Sequence, residues 1–90
     1  VDRDRFAALA RGFTTGLGAA PLDAVERELF VTAGVVLSYE QGIRFLQDYL
    51  QGDRYYHTSR PDHNLDRARV QFRLAAALEA ARGELEPLVP

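Results

Sequence analysis

Ser38-Tyr39-Glu40-Gln41-Gly42-Ile43-Arg44-Phe45-Leu46-Gln47-Asp48-Tyr49-Leu50 is the stretch on which the fold turns. Tyr39, Ile43, Leu46 and Leu50 recur at helical spacing, and Phe45 and Tyr49 widen the apolar face. Ser38 followed three residues later by Gln41 matches a capping box, so the pattern predicts a helix that starts at Ser38. Gly52-Asp53 stops it.

Upstream, Gly34 reads as a break, and Val35-Val36-Leu37 as a short apolar connector too brief to build a sheet. Before it a second helix is expected from Pro21-Leu22, since proline is tolerated in a first helical turn. Asp23 and Glu26 suit the positive end of its dipole, and Leu22, Val25, Leu29 and Ala33 form its stripe. A further helix is expected from Asp4 to Leu17, with Phe6, Leu9, Phe13 and Leu17 on one face and Gly16 and Gly18 ending it. Downstream, Asp53 to His63 reads as an irregular loop. The last helix starts near Asp62 or Asn64, either of which can cap it. It carries two stripes, Leu65-Ala68-Phe72-Ala75 and Val70-Leu74-Ala77-Ala81, as expected of a helix clamped between neighbours. Pro87 and Pro90 close the chain. The fold class is therefore all-α, with about four helices in one segment spanning 1–90, and Phe13, Leu29, Ile43, Leu46, Leu50, Phe72 and Leu74 are the expected core.

Hydrophobic residues make up 47% and charged residues 27% of the chain, which is globular rather than disordered composition. Ninety residues bury only about 60–65% of their unfolded surface, so the core is expected to be thin. A net charge of -2 gives no general pull toward nucleic acid or anionic membrane. Leu29 to Leu37, the longest apolar run, is too short to span a bilayer. No signal peptide is visible at Val1-Asp2-Arg3-Asp4-Arg5, and there is no cysteine; a cytoplasmic protein fits both. The missing initiator methionine suggests a cut, a processed end or a chain break at the start. Every basic residue is arginine, so no lysine amine is on hand for a Schiff base or a phosphate.

Catalytic constellations are scarce. Gly12, Gly16 and Gly18 lack the spacing and the preceding strand of a dinucleotide loop, and helix capping accounts for them better. His57, Asp62 and His63 match no standard zinc spacing. Two histidines in one loop leave few general bases. Two features stand out. Tyr55 and Tyr56 lie in the loop, where an aromatic ring can face a cavity. Arg44 lies four residues from both Glu40 and Asp48. That spacing fits first an exposed ladder of ion pairs, and second an arginine held so that its fork points at a polar ligand.

The segment from Tyr39 through Gly52-Asp53-Arg54-Tyr55-Tyr56, followed by Pro61-Asp62-His63-Asn64-Leu65-Asp66-Arg67-Ala68-Arg69-Val70-Gln71-Phe72, resembles the C-terminal end of the aminoglycoside phosphotransferase-like kinases. The similarity is greatest to the branch containing N-acetylhexosamine kinase, with its "E-x-G-x-R-F-L-x-D-Y-L-x-G-D-x-Y-F" and "D-H-N-L-x-R-A-R-x-Q" elements. Tyr56 replaces a phenylalanine and His57 a common lysine. The resemblance runs from about Phe6 to Glu79 and is specific from Ser38 to Phe72.

The resemblance implies a piece of a kinase-like C-lobe that carries neither the His-x-Asp catalytic loop nor the metal-holding aspartate. It implies that ATP and Mg²⁺ are bound by the remaining kinase lobe and not by this segment. It also implies that Arg44 and Tyr55 contact a sugar-like small-molecule acceptor. The other expectation is a stand-alone helical binding or scaffolding module that completes its core by self-association.

Overall fold

The computed structural model describes residues 1–18 and 22–90. Its described residues form helices α1 (Arg3–Gly16), α2 (Ala24–Leu50), α3 (His63–Ala80) and the short α4 (Arg82–Leu85), followed by a 3-10 turn, Glu86–Leu88. No strand occurs among them, so the chain is all-α.

α1 forms nearly as its periodicity indicates. Asp2 caps it by accepting a hydrogen bond from the Arg5 amide at 3.1 Å. The expected start of the second helix at Pro21 lies outside the described residues. α2 itself opens on a full capping box at Asp23: its carboxylate accepts from Glu26 N at 2.8 Å, and the Glu26 carboxylate accepts from Asp23 N at 3.1 Å.

From there the chain departs from the sequence reading. The two helices expected on either side of Gly34 are one helix of 27 residues, about 40 Å long. Glycine in a helix interior costs about 1 kcal/mol relative to alanine, too little to break a helix that packs along its length. At Gly34 the missing side chain admits Leu78, whose Cδ1 would lie 3.4 Å from an added Cβ. Ser38 caps nothing, because the amides beyond it already belong to the continuing helix. Its hydroxyl donates back to the Gly34 carbonyl at 2.8 Å.

α2 and α3 pack side by side through small residues. Gly42, Ala68 and Ala75 are buried between them. At the other end Val31, Leu78 and Leu85 form a cluster joined by Phe6, Val35, Ala81 and Leu88. Phe30 makes edge-on contacts with Phe6 and Phe13, at centroid distances of 5.9 and 5.5 Å. Arg82 fastens the C-terminal turn: it donates to the Thr32 hydroxyl at 2.8 Å and pairs with Glu79 at 2.7 Å. Arg3 pairs with Glu84 between α1 and α4.

The expected core is largely overturned. Phe13, Leu29, Ile43, Leu50 and Leu74 are between 41% and 74% exposed, and only Leu46 and Phe72 are half-buried. The buried apolar set is instead Ala10, Val31, Ala68, Ala75, Leu78, Leu85 and Val89. The helices meet on their small residues, which leaves Val25, Leu29, Val36, Ile43 and Leu50 of α2 exposed, while Tyr39 stands beside Phe72 and Phe45 beside Arg67 of α3. No described helix is long and apolar enough to cross a membrane.

Candidate functional site

A dense set of side-chain hydrogen bonds joins the end of α2, the loop after it and the start of α3. Gly52 and Asp53 both adopt positive φ, 95° and 60°. Gly52 N donates to Tyr49 O at 3.2 Å and Asp53 N to Asp48 O at 2.8 Å. These are the two bonds of a Schellman motif, and they reverse the chain over the helix end.

The reversal lays three successive amides on one carboxylate. Asp48 Oδ1 accepts from Arg54 N at 3.0 Å and Tyr55 N at 2.7 Å; Oδ2 accepts from Tyr56 N at 3.0 Å and Asn64 Nδ2 at 2.6 Å. Burial raises the Asp48 pKa, but the amides of Tyr56, Tyr55 and Arg54 and the Asn64 side chain outweigh it. The carboxyl titrates below its ordinary value of 3.8. Asn64 is completely buried and also donates to Asp53 Oδ1 at 3.1 Å. Arg67 donates to Asn64 Oδ1 at 3.0 Å and to the His57 carbonyl at 2.9 Å, and its guanidinium lies 5.6 Å from the centre of the Phe45 ring.

Further contacts close the loop onto α3. The Tyr49 hydroxyl donates to Asp62 at 2.9 Å, which raises the Tyr49 pKa above 10.0. Ser59 N donates to His63 Nδ1 at 3.2 Å. His63 titrates below 6.5, first because it is desolvated and then because Arg67 and Arg60 are near. Asp62 stands at the N-terminus of α3 in a left-handed conformation, φ 61°, and makes no side-chain cap. Asn64 lies inside the helix, so neither expected cap acts as one.

Beside this hydrogen-bonded loop, Arg44, Gln47, Asp48, Gln51, Tyr55 and Tyr56 line a cleft of about 300 Å³. Arg44 and Tyr55, the two residues singled out from the sequence, thus share one cleft. Tyr56 packs on Phe45, 4.7 Å between centroids, and Tyr55 stands edge-on to Tyr56 at 4.9 Å. Arg44 pairs with Glu40 at 2.5 Å. Asp48, the expected second partner, does not pair with it, because the loop amides and Asn64 fill both carboxylate oxygens. The guanidinium is therefore held from one side only, and Tyr55 is 83% exposed at the mouth of the cleft.

Sequence reasoning missed Asn64, read as a cap, and Arg67, which drew no reading. A signal existed for Asp48: an acidic residue four before a Gly-Asp reversal, inside a strongly apolar helix, is placed to accept the amides that the reversal turns back. No family model matches the chain, and no solved structure matches it.

Proposed function

We propose that the chain forms the acceptor-binding wall of a phosphotransferase that moves the γ-phosphoryl of ATP to a hydroxyl of a sugar or similar small molecule. The observation that carries this reading is the shared cleft of Arg44 and Tyr55, reached independently through the resemblance to the C-terminal segment of the aminoglycoside phosphotransferase-like kinases. One guanidinium, two carboxamides and a pair of phenol rings offer donors, acceptors and ring faces, which suits a hydroxyl-rich acceptor. The Asp48 carboxylate has no acceptor position left for a metal. Asp48 is filled by four donors, Asp53 accepts from Asn64, and Asp62 accepts from Tyr49. In this reading nucleotide and metal are held by the remaining kinase lobe, and the compartment is the cytoplasm.

The test is kinetic. The product of the whole gene is assayed for ATP-dependent phosphorylation of a panel of hexosamines and aminoglycosides, with and without Arg44→Ala. Losing a charged hydrogen bond to a ligand costs about 1.5–3 kcal/mol, or roughly 10- to 150-fold in acceptor kcat/KM, with the ATP KM unchanged. Arg44→Lys recovers little, because a point charge does not replace a planar fork. No phosphorylation of any acceptor refutes the reading. Wild-type kinetics in Arg44→Ala remove Arg44 from the site. A second reading, a helical module that self-associates, is favoured by the large apolar side chains that α2 exposes.

A further inference from the structure

α2 presents an apolar stripe that the described residues leave largely exposed, although Tyr39 stands beside Phe72 of α3 and Thr32 accepts from Arg82. Val25, Leu29, Val36, Tyr39, Ile43 and Leu50 are each between 48% and 74% exposed, and the half-buried Leu46 lies among them. At 100° per residue these side chains centre roughly 120° round the helix from Val31, Ser38 and Gly42, which face α3 and the C-terminal cluster. α1 meets α2 at Phe30, on the opposite flank.

The positions of the stripe are 25, 29, 32, 36, 39, 43, 46 and 50. They alternate steps of four and three, the spacing of a two-helix seam, and hold it over about 38 Å of helix. All are apolar or aromatic except Thr32, whose hydroxyl accepts from Arg82 of the C-terminal turn. The series reads the same in reverse. An antiparallel copy in register pairs Val25 with Leu50, Leu29 with Leu46, Thr32 with Ile43 and Val36 with Tyr39. That is the self-complementarity an isologous interface requires.

The flanking charges favour the same arrangement. Antiparallel pairing sets Glu26 beside Gln47 and Ala33 beside Glu40, so no like charges oppose along that edge. Parallel pairing would gather Glu26 and Glu28 of both copies at one end.

We propose that this stripe seats a second copy of the chain, whose α2 lies antiparallel along it about a two-fold axis passing between Leu37 and Ser38. The pairing rests on the module reading and names its partner; in the phosphotransferase reading the remaining lobe packs on the same stripe, and a chain that stays monomeric assigns the stripe to that lobe. The stripe and the helix that covers it are the same length, so each copy closes the other's exposed face without leaving a new edge. The two helices cross at about 20°, as in other left-handed two-helix seams.

The chain contains no cysteine, so single thiols can be introduced without background. The first measurement is sedimentation equilibrium of the 90-residue chain from low to high micromolar concentration. The mass rises from that of one chain, 10.1 kDa, toward twice that value. Ile43→Asp, at an exposed position, keeps the far-ultraviolet helical signal and abolishes the rise. The second measurement uses a short thiol-reactive crosslinker on Val25→Cys, on Leu50→Cys and on their mixture; in the antiparallel pair each position lies about 38 Å along the seam from its own copy. Crosslinking is strongest in the mixture, where the two positions face each other across the seam. A mass of one chain at every concentration overturns the proposal, as does a dimer indifferent to Ile43→Asp. Crosslinking of each variant with itself as strongly as in the mixture indicates parallel pairing and overturns the arrangement. None of these outcomes depends on phosphoryl transfer, so failure here leaves the kinetic reading standing, and the reverse also holds.

Discussion

Replacing Gly42 by alanine tests the contact that brings the two long helices together. A Cβ built at Gly42 would lie 2.6 Å from Phe72 Cε1, 2.9 Å from Cδ1 and 3.1 Å from Cζ. The ring must move, and Tyr39 stands on its other side at 6.1 Å between centroids. Inserting a methyl into such a contact costs about 1–3 kcal/mol. Alanine at the same helical position recovers about 1 kcal/mol of propensity, so the net effect is a loss of about 0–2 kcal/mol. Gly12 in α1 is the control. Nothing lies within 4 Å of its added Cβ, so Gly12→Ala gains the propensity alone, about 0.5–1 kcal/mol. Gly34, with Leu78 Cδ1 at 3.4 Å, falls between the two. In a domain of this size 1 kcal/mol moves Tm by roughly 4–8 °C, which makes the order Gly12→Ala above Gly34→Ala above Gly42→Ala easy to read in thermal melts followed by circular dichroism. The result that refutes the reasoning is a Gly42→Ala protein stabilised as much as Gly12→Ala. In that case α2 and α3 are not in close contact there, and the bond from Asn64 to Asp48, which needs the same spacing, loses its footing.

Four further outcomes are expected. In the phosphorylation assay Tyr55→Phe costs less than Tyr55→Ala if the ring stacks on the acceptor, and equal losses assign the contact to the hydroxyl. Asp48→Asn replaces one acceptor oxygen with a donor that faces amides, so hydrogen exchange speeds up at Arg54, Tyr55 and Tyr56 while the amides of α1 keep their protection; unchanged exchange in the loop contradicts its anchoring by Asp48. The folded pKa of His63 is below 6.5, so the unfolded chain binds more protons there, and stability falls as pH drops through that range; His63→Gln flattens the slope in urea melts recorded from neutral to mildly acidic pH. Calorimetry of the 90-residue chain with Mg-ATP gives no measurable heat of binding, and a tight 1:1 complex contradicts the division of labour proposed between this segment and the remaining lobe.

The all-α class, the first and last long helices and the loop between positions 53 and 63 were legible because each rests on local chemistry: 3.6-residue periodicity, an N-terminal aspartate and a Gly-Asp reversal. The continuity of α2 was not. A glycine followed by three apolar residues and a serine with glutamine three positions on satisfies every local rule for a helix stop and a new start. Those rules weigh about 1 kcal/mol apiece, less than the packing of a continuous helix against α3 and the C-terminal turn. Tertiary context decided the matter at Gly34 and Ser38.

The core was misread for a related reason. Periodicity marks which residues share a face; it does not say which face meets the partner. α2 carries two such faces. One, with Gly34, Ser38 and Gly42, is made of small residues and admits α3 closely. The other, with Leu29, Val36, Ile43 and Leu50, has the stronger hydrophobic signal and remains open. Close approach on the small face is what delivers Asn64 to Asp48, fixes the Tyr55–Tyr56 loop and shapes the cleft beside Arg44. Of the cleft residues, Arg44, Tyr55 and Tyr56 were legible as candidates because loop aromatics and a carboxylate-flanked arginine are local features, whereas Gln47 and Gln51 carried no local signal. Their frame was not, because the Asp48–Asn64 bond joins residues sixteen positions apart whose contact exists only once the two helices have met. The two faces of α2 therefore carry separable consequences: the small-residue face organises the cleft beside Arg44 within one chain, and the large-residue face has the pattern of a contact between chains.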